Sequence, residues 1–108
     1  MFDIGRSCTM GLFSYLNNGT KMAEEEAERW DARKICKELQ RTSSMTKAVG
    51  YAQALKKKCQ DMNEWELKDV FDEAYNSQNV KACGAMMPVM SARGFAYKDS
   101  NGRIMKNY

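Results

Sequence analysis

Asp69, Asp72 and Glu73 stand three and four residues apart, a spacing that gathers carboxylates on one face of a helix. Carboxylates so placed are the raw material of a metal-assisted phosphoryl-transfer site. Such a site needs further acids converging from another element, and no second set accompanies these three. They read as a solvated acidic face. The chain has no histidine, the residue that most often serves as general base or metal ligand. Cys8, Cys36, Cys59 and Cys83 lie more than twenty residues apart with no C-x-x-C pair. That spacing does not build a zinc site, and a thiol without a histidine base is a poor nucleophile. Cys36, Cys59 and Cys83 fall on helical segments and read as reduced, small core residues. No phosphate-binding glycine loop and no G-x-S-x-G elbow occurs. The expectation is a protein without enzymatic activity, metal or cofactor.

What remains is charge and apolar surface. Residues 1–62 carry 11 Lys/Arg against 8 Asp/Glu, residues 63–79 one Lys against five acids, and residues 80–108 five Lys/Arg against one acid. An acidic block therefore precedes a basic terminal part, which suits a polyanion or an acidic protein face. Lys56, Lys57, Lys58, Lys81, Arg93, Lys98, Arg103 and Lys106 are the candidate nucleic-acid contacts. Trp30, Trp65, Met86, Met87 and Pro88 are the candidate contacts to a protein partner, because methionines repack on irregular apolar surfaces.

These residues need elements to hold them, and 108 residues suffice for one domain with a modest core. Residues 1–19 form a segment expected to pack on the body, with "TMGLFSYL" as a strand or short helix. Residues 20–62 form a two-helix part. The first helix runs from the Thr20 cap to about Arg41, with Glu24, Glu25 and Glu26 near its positive end. Ala32, Ile35, Cys36 and Leu39 make one apolar face; Ala23, Ala27 and Trp30 point roughly opposite. The second helix starts at Ser43 or Ser44 and buries Met45, Ala48, Tyr51, Ala52, Leu55, Cys59 and Met62.

Residues 63–108 are more sharply signalled. Asn63 with Glu66 is a capping box, and Met62 with Leu67 a hydrophobic staple. Leu67, Val70, Phe71 and Ala74 form the buried stripe, leaving Trp65 off it. After "NSQN", Asn79 caps another helix, whose buried face is Val80, Cys83, Met87 and Met90, widened by Ala82, Ala85, Met86 and Val89. Gly84 predicts close approach of the preceding helix. Pro88 removes one backbone donor and crowds the carbonyl of Gly84. Gly94 supplies a left-handed stop. "FAYKDSNGRIMKNY" alternates around Asn101-Gly102 as a β-hairpin. The fold class is mainly α with a small C-terminal β-hairpin.

Asn79, Ala82, Gly84, Ala85, Met90, Gly94, Gly102 and Tyr108, in the order helix, tight turn, helix, hairpin, resemble the winged helix-turn-helix of small bacterial and phage proteins. The resemblance covers 63–108 only. It implies a winged-helix-like helical domain in which the helix from Asn79 to Arg93 enters the major groove of duplex DNA and the hairpin, carrying Lys98, Arg103 and Lys106, touches the backbone or minor groove. The sequence departs from that pattern in the middle of the helix, where Met86, Met87, Pro88 and Val89 replace the Arg, Lys, Asn or Gln that direct readout uses. The leading expectation is thus a small regulatory nucleic-acid-binding protein. The alternative is a phage-type inhibitor or adaptor that binds a host protein, with Glu64, Glu66, Asp69, Asp72 and Glu73 as an acidic face. A homodimer is open in either case. No segment reaches the roughly 18–20 apolar residues that span a bilayer, and the N-terminus lacks the long apolar run of a signal peptide. A cytoplasmic location without membrane contact is expected.

Overall fold

The computed structural model describes residues 18–108. The expectations for "TMGLFSYL", for packing of the N-terminal segment and for Cys8 lie outside the described residues. Five helices precede a two-stranded antiparallel hairpin: α1 (18–27), α2 (Ala32–Arg41), α3 (Met45–Gln60), α4 (Glu64–Asn76), α5 (Val80–Ala92), β1 (Ala96–Lys98) and β2 (Ile104–Lys106). The expected class, mainly α with a small C-terminal hairpin, is the one observed.

The long first helix is broken in two. After Ala27 the bonds tighten, with Arg29 N–H donating to Glu26 O at 3.2 Å and Trp30 N–H to Ala27 O at 3.0 Å. Asp31 then caps α2 by accepting from Lys34 N–H at 2.8 Å. A straight helix would have faced Ala23 and Ala27 away from Ile35 and Leu39. The break turns both halves inward, and all four are buried in one core.

α3 starts at its Ser44 cap. Its buried side is displaced from the expected stripe: Met45 is 82% exposed, whereas Gly50 and Ala54 are buried beside Tyr51, Leu55 and Cys59. The displacement follows from α1, which crosses α3 at Gly50. A Cβ built there would lie 2.5 Å from Thr20 O and 2.7 Å from Ala23 Cβ. α4 begins as expected, with Asn63 Oδ1 accepting from Glu66 N–H at 2.7 Å, and Leu67, Val70, Phe71 and Ala74 are buried.

The α4–α5 turn is a Schellman motif. Asn79 N–H donates to Ala74 O at 2.9 Å and Gln78 N–H to Tyr75 O at 3.2 Å. Gln78 takes the left-handed conformation, φ 58°. The same motif ends α5, with Phe95 N–H on Met90 O at 2.9 Å and Gly94 N–H on Ser91 O at 3.1 Å, this time with Gly94 at φ 78°.

α5 is central, packing against α2, α3, α4 and β1. Ala82, Cys83, Met86, Met87, Val89 and Met90 are buried, but Val80 is 75% exposed, contrary to expectation. The helix continues through Pro88. Pro88 and Gly84 both lie on the solvent side, so the carbonyl that loses its helical donor faces water. Gly84 does not mark a close approach; a Cβ there would meet nothing within 4 Å.

The hairpin pairs Ala96 with Lys106, Tyr97 with Met105 and Lys98 with Ile104. Gly102 N–H donates to Asp99 O at 3.0 Å, and Asp99 N–H to Arg103 O at 2.9 Å. Asn101 stays at negative φ while Gly102 is at 79°. This is the three-residue loop with a terminal glycine bulge rather than the two-residue Asn-Gly turn. Asp99 stabilises it by accepting from both Asn101 and Arg103 N–H at 2.9 Å.

The two helical glycines predict opposite outcomes. Gly50→Ala forces α1 off α3 and should cost about 1–3 kcal/mol. Gly84→Ala should stabilise by about 1 kcal/mol, because it removes backbone entropy without a steric penalty. Urea denaturation of the two variants measures both; equal signs would contradict the packing described.

Candidate nucleic-acid interface

The eight cations that the sequence marks do not form one surface. Lys57 pairs with Glu24 and lies 3.2 Å from Glu28 Oε1. Lys58 Nζ donates to Glu28 O at 3.0 Å. Both thus hold α3 to α1 and the segment that follows it. Lys57 does so through two carboxylates and Lys58 through a backbone carbonyl.

Arg93 also spans two elements. Its guanidinium donates to Met62 O at 2.8 Å and Gln60 O at 3.0 Å, with Cys59 O at 3.4 Å. Gln60 O and Met62 O lie at and just past the end of α3, where backbone carbonyls lack helical partners and a cation meets the negative end of the dipole. Arg93 fastens the end of α5 to the end of α3. Lys106 is tied down as well. Its Nζ lies 3.2 Å from Asp72 Oδ1, with the rings of Tyr75 and Tyr108 at 5.0 and 5.5 Å. Tyr108 O–H donates to the same Asp72 oxygen at 2.6 Å. Burial, the bond to Asp72 and its charge together push the Tyr108 phenol well above its ordinary pKa. This cluster sets the hairpin against α4.

The other four are Lys56 and Lys81, beside and on the solvent face of α5, and Lys98 and Arg103, on the hairpin. That face runs through Lys81, Gly84, Pro88, Ser91 and Ala92, all exposed. Lys81 Nζ reaches Thr42 O at 2.9 Å, a bond that keeps its charge uncompensated. Lys56 shares a shallow groove with Pro88 and Ala92 on the α3 side. Arg103 and Lys98 stand on the hairpin. Arg103 Nε is 3.3 Å from Asp99 Oδ2 with the side chain 73% exposed, and Lys98 is exposed. α5 itself has no acid.

The residues assigned to a protein partner fare differently. Met86 and Met87 are core side chains, buried among α2, α3 and α4, so they are not available to grip anything. Pro88 is exposed. Trp65 is 78% exposed on α4. Trp30 is half-buried, its ring 5.3 Å from that of Tyr51 and covered by Lys34 Nζ at 4.9 Å. The acidic face of α4 is largely neutralised. Arg33 bonds Asp69, and its Nε donates to Glu73 Oε2 at 2.6 Å. Asp72 faces Lys106, and Glu64 lies 3.6 Å from Lys68.

Two features escaped sequence reading. One is Arg33, whose acids are 36 and 40 residues away. The other is an apolar cleft between the hairpin tip and the α4–α5 turn, lined by Tyr75, Val80, Cys83 and Ile104. Val80 would have revealed it only if its exposure were legible, and an almost wholly apolar helix gives no such signal.

The chemistry otherwise stays inert. Desolvation pushes the thiols of Cys36 and Cys59 up to about 12, and raises that of Cys83, so they remain protonated and unreactive. Among the described residues no group of His, Cys, Asp and Glu is placed to hold a metal ion, and no helix is long and apolar enough to cross a membrane. Comparison with protein-family models, curated proteins and solved structures finds no match in any of the three.

Arg93→Ala should lower stability by about 1–3 kcal/mol through the two carbonyls, Gln60 O and Met62 O, that it leaves without a donor. Duplex affinity per folded molecule should be unchanged. Denaturation and a binding isotherm on the same preparation separate the two effects; a loss of affinity without a loss of stability would return Arg93 to the interface.

Proposed function

We propose that this protein is a small non-enzymatic duplex-DNA-binding module that holds the phosphate backbone with little preference for base sequence. The observation that carries the reading is an acid-free, small-residue face of α5 that carries Lys81 and is bordered by Lys56, followed by a hairpin on which Lys98 and Arg103 are exposed. Phosphate contacts position a protein on DNA but carry no base information. Between Lys81 and Arg93 the helix offers no Arg, Lys, Asn or Gln, the side chains that read base edges. Gly84, Pro88 and Ala92 leave a smooth surface that a backbone can approach closely. The winged helix-turn-helix order of α4, α5 and the hairpin supports the reading by analogy of fold only. A host-protein inhibitor acting through methionines and an acidic face has less support, since the methionines are core and most of the acids are paired.

Fluorescence anisotropy with two labelled duplexes of unrelated sequence tests this. Both should bind alike. Log affinity should fall with log salt at about 0.9 per cation engaged on B-DNA, so removing Lys56, Lys81, Lys98 and Arg103 one at a time should flatten the slope by about that much each. Lys57→Ala should leave it unchanged. Absence of duplex binding at low salt, or a slope indifferent to the four substitutions, would sink the proposal.

A further inference from the structure

α3 and α5 run side by side in the same direction. At their starts Lys81 reaches Thr42 O, just before α3; at their ends Arg93 donates to Gln60 O and Met62 O. Along this seam each helix carries one row at the spacing i, i+4, i+7, i+11, which is a single helix face. The row on α3 is Met45, Val49, Ala52 and Lys56; the row on α5 is Lys81, Ala85, Pro88 and Ala92. Ala52 and Ala85 are partly buried against the core and the other six are exposed. Each row is about 16 Å long at 1.5 Å per residue. At its far end Lys56 shares a groove with Pro88 and Ala92.

One exposed apolar side chain needs no explanation. Here Met45, 82% exposed, and Val49, 43% exposed, stand one turn apart on the same row. The alanines and the proline extend them into an apolar seam with a low floor, and phosphate contact makes no use of it. The charge along the seam has one sign. Neither row holds an acid. Lys56 has no ionic partner among the described residues, and Lys81 is bonded to a neutral carbonyl. The two lysines stand at opposite ends, Lys81 at the start of α5 and Lys56 towards the end of α3. The backbone of both rows is spent inside its own helices. An extended ligand would therefore bury amide groups without partners, whereas a helix satisfies its own and offers side chains at i, i+3, i+4 and i+7 to such a groove.

We infer that the α3–α5 seam is the docking site of an acidic amphipathic helix from a partner protein, which lays its apolar face between the two rows and sets carboxylates on Lys56 and Lys81 at its ends. Those lysines also belong to the duplex-binding face, so the docked helix displaces DNA. That consequence rests on the duplex reading; the docking itself does not.

The test is a titration of the full ¹⁵N-labelled chain, followed by ¹H–¹⁵N correlation spectra, with three blocked alanine-based helical peptides. The first has glutamates at both ends and leucines at i, i+3, i+4 and i+7 between them. The second has lysine for every glutamate, and the third glutamine for every leucine. The first should move the amides of Val49, Ala52 and Ala85 saturably. The second should not saturate. The third should bind at least about tenfold more weakly, for want of buried leucine surface. Met45→Ser combined with Val49→Ser changes two exposed positions outside the core. It should weaken the first peptide by about tenfold or more and leave duplex anisotropy unchanged. Lys56→Gln combined with Lys81→Gln should erase the preference for the acidic peptide. The inference is overturned if the three peptides act alike, if none saturates, if the shifts fall elsewhere, or if the paired serine variant binds as the parent does. It is overturned too if a labelled duplex, and no peptide, moves these amides, which gives the seam to nucleic acid alone. Should the anisotropy experiment find no duplex binding, the peptide shifts still decide the docking.

Discussion

Asn79 joins three helices with one side chain and one backbone group. Its Oδ1 accepts from Ala82 N–H at 3.1 Å and starts α5; its Nδ2 donates to Cys36 O at 2.9 Å on α2; its own N–H donates to Ala74 O at 2.9 Å and closes α4. At 4% exposure it is the one buried polar residue among the described ones. A residue that must donate and accept at once from the same buried place is hard to replace. Aspartate keeps the cap but sets an acceptor against the Cys36 carbonyl, and serine cannot span both. The direction in which α5 leaves α4, and with it the placement of the hairpin, follows from this one side chain. Gln78 in the left-handed region is part of the same arrangement, because the Schellman bonds that deliver Asn79 to its place require that conformation whatever residue occupies it.

With its entry so fixed, α5 lies in the middle of the domain, and that placement decides what its side chains can do. A helix packed on α2, α3, α4 and β1 spends its large apolar residues on the core. What remains outside is a strip of small residues. Pro88 is tolerated there because the hydrogen bond it removes lies on the side facing water, where solvent can satisfy the freed carbonyl at little cost. In the interior of the packed face the same proline would have left a buried orphan.

The parts that sequence reading recovered are those decided locally. The caps Ser44, Asn63 and Asn79, the stop at Gly94 and the stripe Leu67, Val70, Phe71 and Ala74 all depend on neighbours within a few positions. The parts it missed are decided by other elements. The break after Ala27 is invisible because either half makes a good helix, and only the need to bury Ala27 and Leu39 in the same core selects the bend. Met45 and Val80 were placed on the wrong face because the buried side of an α3 or α5 is chosen by the helix crossing it; for α3 that crossing is at Gly50. Among the site residues, the eight cations were all legible as cations. Which of them are free was not, since the partners of Lys58 and Arg93 stand about thirty residues away.

That sorting of the cations follows one physical rule. A basic side chain near a helix end or an opposing acid is drawn to bonds that stabilise the fold: Arg93, Lys57, Lys58 and Lys106 are drawn so, as are Lys81 at the Thr42 carbonyl that ends α2 and Arg103 at Asp99. Lys56 and Lys98, with no such partner among the described residues, stay exposed. The cost of substitution also differs between the two regions. Changing a residue on the buried face of α5 costs core packing, several kcal/mol for a large side chain. Changing Lys98, Ser100 or Arg103 at the hairpin tip touches little and costs within about 0.5 kcal/mol, as surface positions do. The hairpin tip, where Arg103 borders the apolar cleft, is therefore where substitution costs the fold least. The central helix, packed on α2, α3, α4 and β1, holds that hairpin in place.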